Sequence, residues 1–282
     1  LAEAVTAVVT IGAAVRRGRA ALAAAGCDTP RLDAELLLAE VLDPAHPVGR
    51  ERLVLERDRA LSQDELERFT GLLRRREARE PVAYILGRRA FRRLVLGVDR
   101  RVLIPRPETE LLVEVGLALP AGAVVADVGT GSGAVGLALA DERPDLVVQG
   151  LDESADALAV ARQNAARLDL GVEFVRADLL DGKRYDAVLA NLPYVADGAE
   201  LPPEVAMYEP GSALFAGADG LDVIRRLVAV LGERSRPLPL LALEISPEQA
   251  RRVGGLLATV GYGSVTVRRD LAGHDRVVVG TP

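Results

Sequence analysis

The stretch Val124-Val125-Ala126-Asp127-Val128-Gly129-Thr130-Gly131-Ser132-Gly133 decides the fold. A short, largely apolar run meets alternating glycines, and a helical pattern through Leu139 follows. Such a run reads as a buried parallel strand, a tight loop and a crossover helix. Outward from it the same unit recurs. Leu146 to Leu151 leads to Asp152 and a helix through Leu168, Val172 to Arg176 leads to Asp178, and Tyr185 to Ala190 leads to Asn191. A helix over Leu221 to Leu231, a strand over Leu238 to Ile245, a helix from Pro247 to Val260 and strand-like segments near Val265 and Val277 complete the series. The alternation predicts an α/β fold, a mostly parallel sheet with helices on both faces.

Upstream of Pro120 the pattern differs. Val5, Val8, Val9, Ala13 and Val15 begin a helix that ends near Gly26. Asp28 or Thr29 caps a second, with Pro30 near its first position, Leu32, Leu36, Leu37 and Val41 on its apolar side, and Asp43-Pro44 closing it. Ser62-Gln63-Asp64-Glu65 matches a capping box and opens a third through Leu66, Phe69, Leu72 and Leu73, with Arg74, Arg75 and Arg76 near its end. From Pro81 the period changes to two. Phe91, Leu94, Leu96 and Val98 form one run and Val102 to Ile104 another, with Asp99-Arg100-Arg101 between them, which predicts a β-hairpin. The expected organisation is a small helical domain over 1–80, a hairpin linker over 81–106 and an α/β domain over 107–282.

Composition narrows the class. Of the 282 residues 49% are hydrophobic and 27% charged, as in an ordinary soluble protein. The net charge of −6 hides an asymmetry: Arg50 to Arg106 holds 16 Arg against 9 Asp and Glu, a local +7. That surplus suits an acidic partner or nucleic acid, and equally a solvated helix face. A lone cysteine, Cys27, excludes an internal disulfide, fits a reducing compartment and reads as a packing residue at a helix end. The apolar run Ala4 to Val15 is too short to span a membrane, and Arg16, Arg17 and Arg19 follow it, the reverse of a signal peptide. A cytoplasmic protein is expected. His46 and His274 stand apart and are read as structural or surface residues, with no metal site.

In open α/β sheets the ligand crevice lies at the carboxyl ends of the strands. Gly129, Gly131 and Gly133 let backbone approach a ligand closely there. Gly131 to Gly136 also satisfies the dinucleotide pattern GxGxxG, with Asp152 near the expected ribose-binding acid. Asp127, two residues before Gly129, suits a cationic amino-acid moiety such as that of S-adenosylmethionine and would repel a pyrophosphate. Asp152 can accept from ribose hydroxyls, and Asp178 from an adenine amino group. Any one of these acids can cap a helix, but three at successive strand ends point to a ligand. Asn191-Leu192-Pro193-Tyr194 follows a fourth strand. It offers the Asn191 carbonyl and the Leu192 backbone carbonyl as acceptors, stiffness at Pro193 and a flat face at Tyr194, a set suited to a planar NH2 group.

This arrangement resembles the class I S-adenosylmethionine-dependent methyltransferases, in which Asp/Asn-Pro-Pro-Tyr motifs mark transfer to an amino or amide nitrogen. Ile104 to Glu110 (IPRPETE), Asp127 to Gly133 (DVGTGSG) and the NLPY loop are similar to the release-factor glutamine methyltransferases. So are Glu209-Pro210, Gly217-Ala218-Asp219-Gly220-Leu221 and the tail Asp270 to Arg276. The resemblance implies a Rossmann-like domain with a mostly parallel seven-stranded sheet and S-adenosylmethionine as cofactor. Asp127, Gly129, Thr130, Gly131, Gly133, Asp152, Asp178 and Asn191 are expected to hold that cofactor. It also implies N5-methylation of the glutamine in the Gly-Gly-Gln motif of class 1 peptide chain release factors, the helical domain gripping that protein substrate. Asn191, Leu192, Pro193 and Tyr194 are the expected catalytic residues, and Phe91, Arg106 and Glu108 join them in binding substrate. Neither a membrane nor a nucleic-acid partner is expected.

One position departs from the family. Leu192 stands where proline is usual, and NLPY is the form found in ribosomal RNA adenine dimethyltransferases. An RNA or DNA adenine N6-methyltransferase is therefore the alternative within the class; a nicotinamide dehydrogenase and a non-enzymatic adenosyl-ligand sensor are alternatives outside it. Ser246 stands where the pattern expects glycine and is given no role.

Overall fold

A computed structural model of the chain describes residues 8–43 and 49–282. The readings placed on Val5, Pro44 and His46 lie outside the described residues. The chain divides into two compact units: residues up to Gly87 with Pro202–Tyr208, and Arg88–Leu201 with Glu209–Pro282.

The first unit is helical. Its first helix, α1 (Ile11–Ala24), starts later than Val8 and Val9 suggest, because Thr10 caps it by accepting from Ala13 N. Gly26, at φ 74°, follows its end, and Cys27 is buried there as a packing residue. Thr29 precedes α2 (Pro30–Leu42), but its hydroxyl donates to Asp33 instead of capping the backbone. α2 is buried around most of its girth; Leu32, expected on the apolar side, is exposed, while Ala34, Leu37 and Leu38 are buried. After α3 (Arg50–Leu55), α4 (Gln63–Glu77) opens on the full capping box, Ser62 Oγ accepting from Glu65 N and Glu65 Oε2 from Ser62 N. α5 (Val82–Leu86) ends at Gly87, in the left-handed conformation. Ile11, Leu37, Leu38, Phe69 and Ile85 form the core.

Arg76 is buried in this unit, its Nε donating to Asp33 at 2.7 Å and its Nη2 to Glu204 at 3.2 Å. A charged α4 terminus therefore serves partly as an internal clamp on the returning segment Pro202–Tyr208.

The second unit begins with the hairpin, which does not turn where its periodicity suggests. β1 (Arg88–Phe91) pairs antiparallel with β2 (Leu94–Gly97), Phe91 opposite Leu94, so the turn is Arg92-Arg93 and Val102 to Ile104 form no strand. Arg92 adopts φ 49°, a conformation that sequence reading assigns to glycine or asparagine, and so the turn carries no signal.

The sheet follows α6 (Glu110–Leu117). In chain order come β3 (Val124–Val128), α7 (Ala134–Glu142), β4 (Val147–Asp152), α8 (Ala155–Leu168), β5 (Glu173–Arg176), β6 (Ala187–Ala190), α9 (Pro203–Tyr208, which belongs to the first unit), α10 (Asp222–Gly232), β7 (Leu240–Glu244), α11 (Ala250–Thr259), β8 (Ser264–Arg269) and β9 (Asp275–Thr281). The strands lie in the order β5-β4-β3-β6-β7-β9-β8. β3 to β7 pair in parallel, while β9 runs antiparallel to both β7 and β8.

Alternate strand residues build two cores, as period-two side chains must. Val125, Ala187 and Leu189 pack with Leu112, Leu139 and Leu158 on one face, together with Phe91, Leu94 and Leu96 of the hairpin. Ala126, Val188 and Ala190 pack with Ile224, Leu227, Val253 and Leu257 on the other. The strand order reverses between β3 and β6, and the crevice opens at that switch point.

Candidate active site

A cavity of about 390 Å³ lies at the carboxyl ends of β3, β4 and β6, lined among others by Asp127, Gly131, Asp152, Asp178, Asn191 and Leu103. Its floor is the glycine loop. Gly129 N and Thr130 N both donate to Leu151 O, folding the loop over the end of β4. Gly129 takes φ 73°, and a Cβ there would stand 3.0 Å from Asn191 O and 3.2 Å from Leu192 Cδ2. The glycine thus lets the NLPY loop settle directly on the loop after β3.

The acids behave differently from one another. Asp127 is buried, its Oδ2 accepting from Thr130 Oγ1 at 2.6 Å and Gly136 N at 2.9 Å. Burial outweighs those bonds and, with Asp152 nearby, pushes its carboxyl up to about 6. Asp152 accepts from Gly131 N and Ser154 N, each at 2.9 Å, and burial raises its carboxyl as well. Asp178 is exposed at the rim, both its oxygens 2.6 Å from Arg226 Nη2. A ligand amino group at Asp178 would have to share that carboxylate with the arginine.

The NLPY loop is fixed at several points. Asn191 Nδ2 donates to Thr109 Oγ1 at 3.1 Å. The Tyr194 hydroxyl donates to Glu244 Oε1 at 3.3 Å, and Tyr194 O accepts from Gln249 Nε2 at 2.9 Å. Val195 N donates to Leu214 O, and Ala216 N donates back to Val195 O. Asn191, Leu192 and Pro193 line the cavity, whereas Tyr194 stands outside its lining.

Besides Tyr194, four residues expected at the site stand outside its lining. Phe91 cannot close the pocket, because it is 2% exposed and packed among Leu94, Leu96 and Leu112 beneath the hairpin. Gly133 does not line the cavity; a Cβ there would meet Leu137 Cδ1 at 2.9 Å and Phe174 Cζ at 3.2 Å, so the glycine serves helix packing. Arg106 and Glu108 are also outside the lining. Arg106 Nη2 donates to Glu209 Oε1 at 2.5 Å, and Glu209 Oε2 accepts from Ile104 N at 3.0 Å, so Glu209 staples the IPRPETE segment. His274 is an exposed loop residue 3.5 Å from Asp270.

Residues 13–87 match the family model of the PrmC N-terminal domain, and residues 107–207 that of the methyltransferase small domain. The release factor glutamine methyltransferase of Caulobacter vibrioides is 40% identical over 269 residues, covering 91% of this chain and 91% of that protein. The one from Mycolicibacterium smegmatis is 42% identical over 279 residues, covering 95% and 96%. The chain belongs to the release factor glutamine methyltransferase family.

Among solved structures, the hMettl16 catalytic domain in complex with a MAT2A 3'UTR hairpin shares the fold, with a TM-score of 0.53 at 15% identity over 66% of this chain and 74% of that one. For a release factor glutamine methyltransferase, the sequence reading left several residues at the site unassigned. Thr109 sits inside the quoted IPRPETE stretch, and Glu244 ends an apolar strand just as Asp152 does, so the signal for both was present. Ser246, left without a role, begins a capping box with Gln249, the residue that holds Tyr194 O. Arg100 to Leu103 line the cavity as irregular chain after the hairpin, where no periodicity points to them.

Proposed function

We propose that this chain methylates N5 of the glutamine in the Gly-Gly-Gln motif of class 1 peptide chain release factors, with S-adenosylmethionine as the methyl donor. The observation that carries the reading is that Asp127, Asp152 and the Asn191 carboxamide face one cavity in a chain about 40% identical to release factor glutamine methyltransferases along nearly its whole length. The donor set fits the cofactor. A buried acid suits an ammonium group, Asp152 keeps lone pairs for ribose hydroxyls, and Leu103, Leu151 and Leu179 give apolar walls to an adenine. Bound there, S-adenosylmethionine would supply an electrophilic methyl group on a sulfonium.

The chain's own residues supply position. An amide nitrogen is a poor nucleophile because its lone pair is delocalised into the carbonyl. Asn191 Oδ1 and the Leu192 carbonyl accept the two N–H bonds of the substrate amide and orient its nitrogen. Leucine keeps the backbone acceptor that proline provides at this position in relatives. Pro193 stiffens the loop, and Tyr194, outside the cavity lining, anchors it through its hydroxyl on Glu244. Orientation and electrostatics then lower the barrier without a general base at the nitrogen.

The helical unit is the recognition domain for the release factor. Among the described residues no helix is long and apolar enough to cross a membrane. A translation factor as substrate supports a cytoplasmic location. Asn191→Ala should abolish methyl transfer while leaving the affinity for S-adenosylhomocysteine, measured by calorimetry, within about twofold. Equal loss of both would remove Asn191 from the chemistry.

A further inference from the structure

Gln249 stands at the entrance to α11 as a buried carboxamide, 4% exposed, with both ends in use. Its Oε1 accepts from Ser246 N at 3.0 Å. Its Nε2 donates to Tyr194 O at 2.9 Å, with Asp219 O and Gly220 O each at 3.4 Å. The oxygen and nitrogen of a carboxamide are distinguished by such partners. Here every partner is a backbone group. Ser246 offers an N–H and the other three are carbonyls, so one orientation alone satisfies the side chain.

Two segments therefore meet on one side chain. The first is the end of the NLPY loop. The second is Gly217 to Leu221, whose Asp219 carboxylate takes Arg225 at 2.5 Å and also binds Arg252. Gly220 adopts φ 70°, and a Cβ there would stand 2.2 Å from Tyr194 O. Glycine is what lets that carbonyl lie where Gln249 holds it. At its other end the NLPY loop rests on Gly129, where a Cβ would stand 3.0 Å from Asn191 O. The loop is thus seated at Asn191 and pinned at Tyr194, with the fixed φ of Pro193 between them. Gln249 lies outside the cavity lining, so it acts on the reaction only through the loop.

We propose that Gln249 is a positioning residue whose carboxamide pins the Tyr194 carbonyl against Gly220 and so holds Asn191 Oδ1 and the Leu192 carbonyl in register with the substrate amide, an inference that rests on the glutamine-methylation reading above. With the Nε2 donor removed, the carbonyls of Tyr194, Asp219 and Gly220 are left oxygen against oxygen, and the loop moves to separate them. Pro193 cannot absorb that movement in φ, so it reaches Leu192. A displacement of about 1 Å at an orienting group costs as much as about a hundredfold in rate.

The test is steady-state methylation of an unmethylated class 1 release factor by the full chain at about pH 8.5. S-adenosylhomocysteine affinity, thermal melting and backbone hydrogen exchange over residues 191–197 are measured on each variant. Q249M removes both polar ends of the side chain at nearly constant length. Q249E keeps an oxygen for Ser246 N but, ionised, has no proton for Tyr194 O; glutamate is a natural capping-box residue, so this variant folds. S246A removes the cap hydroxyl and leaves the Gln249 clamp in place. Q249M and Q249E should lower kcat about tenfold or more and speed exchange over 191–197 at least about threefold. Their release-factor KM and S-adenosylhomocysteine affinity should stay within about threefold. S246A should keep kcat within about twofold of wild type. Wild-type kcat or unchanged exchange in the Gln249 variants would overturn the clamp. So would an S246A loss as large as theirs, or a loss that only tracks falling melting temperature and ligand affinity. Faster exchange in Q249M and Q249E beside a wild-type chain that leaves the glutamine unmodified would defeat the glutamine reading and uphold the clamp.

Discussion

Asp127 meets two demands of opposite sign. Folding buries it and raises its carboxyl from 3.8 to about 6, so the folded chain binds a proton there that the unfolded chain has lost. Its contribution to stability therefore falls as pH rises between those values and stays diminished above them. A cationic ligand group demands the ionised form. Affinity for S-adenosylhomocysteine should accordingly weaken as pH drops through about 6, a limb that calorimetry should find missing in Asp127→Asn, and that variant should melt higher than wild type at neutral pH. Gly129 makes a second prediction. With φ 73° and Asn191 O only 3.0 Å from a built Cβ, Gly129→Ala strains the backbone and pushes the NLPY loop away. Turnover should fall more than about tenfold while the melting temperature drops only a few degrees. Asp127, Asp152 and Asn191 were legible because a lone polar residue at the end of an apolar run has few reasons to be there. Glu244 has the same signature, but its partner Tyr194 lies 50 positions away in sequence, and only the fold brings them together.

At the scale of elements, the parallel strands were readable because they are buried on both faces: every residue of β6 is apolar and buried. The hairpin turn was not, since Arg92-Arg93 gives no turn chemistry to read, and α3 and α5 are too short to establish a helical period. The arginines that close α4 look alike in sequence and differ in space. Arg76 is buried on Asp33 and Glu204, Arg75 is paired with Glu80 at 2.7 Å, and Arg74 is exposed. Reversing all three charges at once would confuse folding with recognition. Arg76→Ala leaves Asp33 buried and unpaired and should destabilise the helical unit by about 3–5 kcal/mol, read as a lowered melting temperature. Arg74→Glu should leave melting unchanged.

At the scale of the whole molecule, the surplus of 16 Arg over 9 acids between Arg50 and Arg106 overstates the charge on offer. Much of it is committed to ion pairs with acids outside that span, among them Arg50 with Glu35, Arg76 with Asp33, Arg92 with Glu142 and Arg106 with Glu209. What is left for a release factor is an exposed remnant that includes Arg74. If that remnant steers the substrate, Arg74→Glu should raise the release-factor KM and reduce its dependence on salt, with kcat held; an unchanged KM would return the arginine to the solvated face of its helix. The family was legible along almost the whole chain, because the motif residues are also the staples of the fold: Glu209 on Ile104 and Arg106, Asp219 on Arg225 and Arg252, Asp270 on Arg276. The central claim is the identity of the methylated atom. It is tested most directly by peptide mass spectrometry of an unmethylated class 1 release factor incubated with this protein and S-adenosylmethionine. A single added methyl on the Gly-Gly-Gln glutamine, absent with Asn191→Ala, is the expected result. An unmodified glutamine with labelled methyl recovered in RNA or DNA would contradict it, and would mean that Leu192 marks an adenine methyltransferase.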